Sequence, residues 1–191
     1  MDGHEVEVKA VLLKTSDPDE ALEFARTADA RLKEGGARFK YMASQDDTYL
    51  SHPSRDFSRT DEALRVRTEE REGEFAVKMT YKGPKVSELS KARLEKEVGI
   101  TGGSRDEILQ ILSHLGFNEV MTVRKVRRTF DLDGIEVDLD IVEKLGVFCE
   151  MELFSEDVRE AERRIIEAMD SLGFNRFERR SYLELLLSKQ F

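Results

Sequence analysis

Apolar and polar residues alternate with a period of two through most of this chain, the pattern of strands that bury one face and keep the other polar. Eight stretches carry it: 4–13, 45–51, 63–69, 75–81, 92–100, 125–132, 135–141 and 147–154. Eight strands can close into a barrel. Three stretches switch to helical spacing. In the first, Asp17 caps, Pro18 suits the first helical position and Glu20 completes a capping box. Leu22, Ala25, Ala28 and Leu32 form its stripe, and Gly35-Gly36 stops it. Ser104 opens the second, with Ile108, Ile111, Leu112 and Leu115 behind and Gly116 as stop. Ser155 caps the third, whose stripe is Val158, Ala161, Ile165, Ala168, Met169 and Leu172, with Gly173 as stop. A last short helix or strand falls in 182–187. The expected fold is therefore α+β: an eight-stranded antiparallel closed barrel with helices packed on its outside, in one domain over 1–191.

Side chains two apart on a strand share a face. Glu5, Glu7 and Lys9 share one, and Val6, Val8 and Ala10 the other. Arg65 and Arg67 oppose Leu64 and Val66, and Lys78, Thr80 and Lys82 oppose Val77, Met79 and Tyr81. Arg93, Glu95 and Glu97 form the next set, then Lys125, Arg127 and Thr129, then Glu136, Asp138 and Asp140, then Glu150 and Glu152. Asp133-Gly134 is a two-residue hairpin signal that sets Arg127 opposite Asp140 and Thr129 opposite Asp138. A weaker signal at Glu72-Gly73 sets Arg67 opposite Lys78, a like-charge pair that needs an anion nearby, either interior carboxylates or a ligand. A Glu-x-Glu strand precedes each of the three helices, and two of the helices end alike, in Leu115-Gly116-Phe117-Asn118 and Leu172-Gly173-Phe174-Asn175. That threefold order suggests a pseudo-symmetric sheet.

An open sheet with one wet face would alternate in the same way. Composition moves the reading away from it. Of the 191 residues 37% are charged, and the polar face holds carboxylates, guanidinium and ammonium groups in pairs two apart, where a solvated face would be rich in Thr, Ser and Gln. Three amphipathic helices need an apolar partner, and the outer face of a barrel supplies one. The charges must then point inward, which is costly unless water, metal and a polyanion share the interior. Many cations beside clustered carboxylates suit a triphosphate with Mg2+ or Mn2+, so the expected chemistry is phosphoryl or nucleotidyl transfer.

Other chemistries fit less well. The net charge of -9 argues against nucleic-acid partners, and no apolar run is long enough for a membrane helix. No P-loop and no strand-borne G-x-G-x-x-G is present. His4, His52 and His114 match no zinc spacing, and His52 reads as a surface residue. Cys149 alternates to the apolar side and reads as packing. A single cysteine and an acidic start without a signal-like stretch point to a cytoplasmic protein. Two non-enzymatic readings stay open: a polyphosphate- or nucleotide-binding module, and a wet-faced sheet with an interaction role.

The run Glu5-Val6-Glu7-Val8-Lys9 resembles the E-x-E-x-K signature of the CYTH superfamily, the triphosphate tunnel metalloenzymes. Arg65-Val66-Arg67, Lys82, Glu95-Lys96-Glu97, Lys125-Val126-Arg127, Asp138 and Glu150-Met151-Glu152 follow in the family's order, with a further echo at Ser181-Tyr182-Leu183-Glu184-Leu185. Asp47-Thr48-Tyr49, Thr60-Asp61-Glu62-Ala63, Tyr81-Lys82-Gly83-Pro84 and Leu145-Gly146-Val147-Phe148 are most similar to the class IV adenylyl cyclase branch. The resemblance implies an antiparallel tunnel in which Lys9, Arg65, Arg67, Lys82, Lys125 and Arg127 grip the triphosphate, with Lys9 and Arg127 catalytic. It implies that Glu5, Glu7, Glu150 and Glu152 hold Mg2+ or Mn2+. Lys78, Arg93, Glu95, Glu97, Asp138 and Asp140 line the tunnel, read equally as ligand contacts or as halves of internal ion pairs. It further implies ATP or another triphosphate as partner, and a homodimer. Conversion of ATP to cyclic AMP and hydrolysis of thiamine triphosphate or tripolyphosphate both remain open. The loop 51–61, with Arg55, Phe57 and Arg59, caps a tunnel mouth or lies on the surface.

Overall fold

A computed structural model describes residues 4–84 and 93–189. The elements run β1 (His4–Lys14), α1 (Pro18–Glu34), β2 (Arg38–Ser51), α2 (Phe57–Thr60), β3 (Ala63–Arg71), β4 (Glu74–Lys82), β5 (Glu95–Ile100), α3 (Arg105–His114), β6 (Asn118–Leu132), β7 (Ile135–Val142), β8 (Gly146–Ser155), α4 (Val158–Ser171) and α5 (Tyr182–Leu187). The expected start of the fifth strand at Ala92 lies outside the described residues. The strands form one eight-stranded antiparallel sheet in the order β1-β8-β7-β6-β2-β3-β4-β5. Where a closed barrel was expected, the edge strands β1 and β5 share no ladder among the described residues, where β1 meets this edge at an isolated bridge between Glu5 and Arg93, just ahead of β5. Acidic side chains face each other across that seam, which disfavours continuous pairing there.

Turn chemistry sets the register. Asp133 and Gly134 both have positive φ, as do Glu72 and Gly73, the backbone of the two-residue turns that suit strand twist. Arg127 consequently pairs with Asp140, Thr129 with Asp138, and Arg67 with Lys78. β2 and β6 are longer than the alternation suggested. They pair from Arg38–Asp131 to Ser51–Asn118, and irregularities at Phe39/Tyr41 and Tyr49/Leu50 break the period of two.

The apolar faces point outward and carry the helices. α1 and α4 cover β1, β7 and β8 through Ala25, Leu32, Ile165 and Met169, which pack with Val6, Val137, Val147 and Met151. Fully burying a side chain of this size stabilises by about 1.5–3 kcal/mol. α5 packs Leu185 and Leu186 with Val123 and Phe148, and α3 lays Leu109 and Leu112 near Val66. Three helical expectations shift by a residue or two. Ala21, not Leu22, is buried on α1, and Leu109 replaces Ile111 and Leu115 on α3, which are more than half exposed. Asp157, not Ser155, caps α4 by accepting from the Glu160 amide at 3.0 Å, while the Ser155 hydroxyl accepts from the Asp157 amide. Glu20 closes no box on α1, because its carboxylate is taken by the Thr15 hydroxyl.

The repeat in the sequence has a structural counterpart. All three long helices end on a left-handed glycine, with Ala37 donating to Leu32, Phe117 to Leu112 and Phe174 to Met169. The Glu-x-Glu strands also converge: β8 pairs with β1, and β1 meets Arg93, just ahead of β5.

Candidate active site

The inward face of the sheet encloses a cavity of about 360 Å³. Among the described residues, seven cations line it: Arg65, Arg67, Lys78, Lys82, Arg93, Lys125 and Arg127. Ten carboxylates join them: Glu5, Glu7, Asp47, Glu69, Glu95, Glu97, Glu136, Asp138, Glu150 and Glu152. The two sets are partly segregated. β3, β4 and β6 carry most of the cations, while β1, β8 and β7 present a wall of acids. A lining with three more acids than bases repels a polyanion unless added cations accompany it.

Two buried aspartates organise the cations, each from a neighbouring strand. Asp47 on β2 accepts from Arg67 Nε and Nη2 at 2.6 and 2.8 Å, and from Arg65 Nη1 at 3.3 Å. Burial alone would raise its pKa, but Arg65 and Arg67 outweigh that and hold it well below the ordinary value. Asp140 on β7 accepts from Arg127 Nε and Nη2 at 2.7 and 2.5 Å, from Lys125 at 3.1 Å and from the Tyr182 hydroxyl at 2.9 Å. Its carboxyl is likewise lowered, Arg127 and Lys125 overcoming burial. Arg127 also reaches Asp138 at 2.5 Å and Glu150 at 2.6 Å. Burial pushes Asp138 up to about 6, against the pull of Arg127. Lys125 and Lys82 are depressed, first by burial and then by neighbouring guanidiniums. Lys78, paired against Arg67, is met by Glu97 at 3.5 Å and Glu69 at 4.0 Å, so interior carboxylates relieve the like-charge pair.

Among the described residues, the acid wall carries carboxylates in excess of cations. Glu7, Glu152 and Glu136 stand directly opposite one another on β1, β8 and β7. Burial, then Glu5 and Glu7, push Glu152 up to about 9, and Glu5 is raised by burial and by Glu95. Glu152 acts on the titration of Glu5, and with its own carboxyl pushed up to about 9 it is Glu152 that carries a proton at neutral pH. An oxygen-only set of crowded acids suits a hard divalent cation, which would take the place of that proton. Among the described residues no three acidic, histidine or cysteine side chains already stand as a coordination cluster. Glu150 is engaged instead by Arg127 and, at 3.8 Å, by Lys9.

A family model for the CYTH domain matches residues 3–182. The chain belongs to the CYTH family. A Methanocaldococcus jannaschii protein named "Putative adenylate cyclase MJ0240" is 38% identical to this CYTH chain over 186 residues, 95% of the chain and 97% of that protein. The PH1819 protein of Pyrococcus horikoshii OT3 superposes with a TM-score of 0.83 at 41% identity, over 97% of this chain and 99% of that one. A Hippeastrum protein described as "Putative adenylyl cyclase HpAC1", with a dominant triphosphatase activity, shares the fold at 15% identity and a TM-score of 0.63, over 98% of this chain and 96% of that one.

Of the residues expected at the site of this CYTH protein, all but two line the cavity. Asp140 lies behind the wall, fully buried under Arg127 and Lys125. Lys9, 1% exposed, points toward α5, where its ammonium donates to the Arg180 carbonyl and sits 4.3 Å from the centre of the Tyr182 ring. Sequence reading passed over Tyr41, Gln45, Asp47, Tyr49, Glu69, Ser181 and Tyr182 as wall residues. Gln45, Asp47 and Tyr49 are two apart on one strand, so the same face rule would have found them. Loop 51–61 contains the short α2 and is tied back by Arg55 to Glu62 at 2.6 and 3.0 Å, while Arg59 is exposed. His52 packs edge-on against Phe117 at 4.9 Å, and Cys149 is buried with its thiol pushed up by desolvation. No described helix is long and apolar enough to cross a membrane.

Proposed function

We propose that this CYTH protein is a divalent-metal-dependent enzyme acting on a nucleoside or organic triphosphate, in the manner of an adenylyl cyclase that forms cyclic AMP and pyrophosphate from ATP. The observation that carries this reading is the partition of the cavity. One wall offers guanidinium and ammonium groups held in place by Asp47 and Asp140, and the other offers crowded carboxylates that a cation would relieve. The relative from M. jannaschii, matched along almost its whole length, supports the same direction.

In this reading Arg65, Arg67, Lys82, Lys125 and Arg127 bind the non-bridging phosphate oxygens and take up the charge that shifts between them as the phosphorus is attacked. Bidentate bonds to Asp47 and Asp140 fix the guanidinium planes beforehand, so little reorganisation is needed. Deleting one such cation should cost about 2–4 kcal/mol of barrier. Glu5, Glu7 and Glu152 would hold Mg2+ or Mn2+, with Glu150 joining only if it leaves Arg127. The bound metal supplies charge neutralisation at the phosphates. Lys9 acts as a support in the present arrangement and reaches substrate only by leaving the Arg180 carbonyl.

A second reading, a triphosphatase acting on thiamine triphosphate or tripolyphosphate, draws on one observation. Among the described residues, the lining has no aliphatic side chain, and its only rings are Tyr41, Tyr49 and Tyr182. The cavity therefore offers little apolar surface to a base. The deciding experiment incubates the protein with ATP, thiamine triphosphate and tripolyphosphate under Mg2+ or Mn2+ and separates the products. Cyclic AMP with pyrophosphate establishes cyclisation, inorganic phosphate establishes hydrolysis, and no turnover on any of the three sinks the proposal.

A further inference from the structure

The outer face of the sheet is covered unevenly. Over β1, β7 and β8 two helices, α1 and α4, share one apolar core. Toward the other edge α3 stands on β3, where Leu109 and Leu112 pack with Leu50 and Val66. Val77 and Met79 of β4 and Ile108 of α3 lie half-buried at the margin of that cluster.

Beyond the margin the apolar face runs on into solvent. Arg93, Glu95 and Glu97 line the cavity, so Leu94 and Val98 point outward. Lys78 and Lys82 line it from β4, which turns Phe75 outward in step with Val77 and Met79. On α3, Ile111 and Leu115 continue the flank that begins at Ile108. That flank meets β5 around Gly103, where a Cβ would lie 3.5 Å from Ile100 Cγ2 and 4.0 Å from Ile108 Cδ1. Phe75, Leu94, Val98, Ile111 and Leu115 are each more than half exposed, and among the described residues Phe154 is the one other large apolar side chain that open. A concentration of this kind on one surface marks a contact site.

The shape and charge of the surface fit a second copy of this chain. It consists of a strand face with a helix ridge on one side, where the covered half of the sheet carries two helices. A second copy offers the missing ridge, its own Ile111 and Leu115. A two-fold axis lays each α3 over the β4–β5 face of the other copy and buries both stripes at once, as an isologous contact requires. The rim charges agree with that rotation. Lys96 is exposed on the strand side and Glu107 on the helix side, so each lysine approaches the glutamate of the other copy.

We infer that the outer face of β4 and β5, with the adjoining flank of α3, is a homodimer interface centred on Val98 and Ile111. The inference is independent of the triphosphate reading, because it uses the side of the sheet that faces away from the cavity.

Sedimentation equilibrium over a concentration series tests it on the wild type, Ile111→Glu, Val98→Lys, Lys96→Glu and, as a control at another exposed apolar residue, Met42→Glu. The wild type should dimerise. Ile111→Glu and Val98→Lys should each raise the dissociation constant by about thirtyfold or more, the scale of a binding hot spot. Lys96→Glu should raise it by up to about fivefold, as for an exposed ion pair, and less at high salt. Met42→Glu should dimerise like the wild type. Amide exchange at residues 94–100 should slow with rising protein concentration in the wild type but not in Ile111→Glu. A monomeric wild type overturns the inference. So does a dimer that survives both Ile111→Glu and Val98→Lys, a dimer that Met42→Glu breaks, or exchange at 94–100 that ignores concentration in the wild type. If Ile111→Glu does not fold, Val98→Lys decides, and a wild-type dissociation constant there is equally fatal.

Discussion

Asp47 faces Arg67 across the β2–β3 pair and holds its guanidinium with both carboxylate oxygens, at 2.6 and 2.8 Å. The pair is almost wholly buried. Removing one member of such a pair leaves the other charged and uncompensated, which costs about 3–5 kcal/mol. Asp47→Asn should therefore lower unfolding stability by that order at neutral pH, as read by urea denaturation. A loss under about 1 kcal/mol, short of the usual cost of an unmatched buried group, would mean that Arg65 and Arg67 find other partners. Tripolyphosphate should restore part of the loss by pairing the freed guanidiniums.

Acid dependence follows from the same carboxylate. Burial would raise the pKa of Asp47, but Arg65 and Arg67 reverse that, and Arg127 and Lys125 do the same for Asp140. Both folded values lie below the ordinary aspartate value of 3.8. The stability they contribute is thus complete above that value and is lost as pH falls through the depressed folded values. A series of urea transitions from neutral pH to about pH 2 should steepen below about pH 4, the unfolded carboxylate range. That limb should be shallower in Asp47→Asn, and an unchanged slope would remove Asp47 from the acid response.

Lys125 and Lys9 should behave differently although both are buried cations. Lys125 lines the cavity opposite Gln45, whereas Lys9 is turned to the Arg180 carbonyl and the Tyr182 ring. Lys125→Ala should weaken tripolyphosphate binding by about tenfold or more, on the scale of one lost charged hydrogen bond of about 1.5–3 kcal/mol. Lys9→Ala should act first on stability, because it frees the segment that carries Tyr182. Calorimetric titration of both variants, with melting temperatures, separates the two. Equal affinity losses with no change in melting would place Lys9 in the cavity as well.

Glu152 offers a probe of the metal. With its carboxyl pushed up to about 9 by burial and by Glu5 and Glu7, it is protonated at neutral pH in the metal-free protein, and glutamine mimics that form. Glu152→Gln should leave the metal-free melting temperature unchanged or raised, and should abolish most of the rise on adding Mn2+. A full Mn2+ response in the variant would move the metal away from the Glu5–Glu7–Glu152 corner.

Much of this site could be read before any coordinates, because two simple rules hold on its walls. Alternation assigns Glu5, Arg65, Lys125 and Glu150 to the inner face, and a two-residue turn at Asp133-Gly134 fixes Arg127 against Asp140. The rules fail where the backbone departs from regular geometry or where tertiary packing overrides a local preference. The irregularity between Phe39 and Tyr41 hid the first half of β2. Lys9 shares the strand face of Glu5 and Glu7, yet its long stem carries the ammonium toward a carbonyl contributed from 171 residues away. Ile111 and Leu115 fit a helical stripe, but α3 rotates to bury Leu109 and Leu112 against the sheet. The seam between β1 and β5 left no mark in the pattern, since an edge strand alternates just as an interior one does.

Gly146 decides whether β8 can begin where it does. It has φ +115, and a Cβ there would sit 2.2 Å from the Leu13 carbonyl oxygen and 2.8 Å from the Thr15 nitrogen. Both are backbone atoms of the segment that pairs with the start of β8, next to the register shift between Val11 and Leu13. Gly134 is a useful contrast: its φ of +81 is also left-handed, but a Cβ there would meet nothing within 4 Å. Gly134→Ala thus measures conformational strain of about 1–3 kcal/mol alone. Gly146→Ala adds a clash that backbone must move to relieve. That movement would shift Glu150 and Glu152 relative to Lys9 and Glu7, their partners on β1. Gly146→Ala should therefore lose about 1–2 kcal/mol or more beyond Gly134→Ala in urea denaturation, in line with the cost of overpacking. It should also blunt the Mn2+-induced rise in melting temperature, which Gly134→Ala should leave intact. Equal losses in the two variants would show that the β1 backbone yields at Leu13 without disturbing the acid wall.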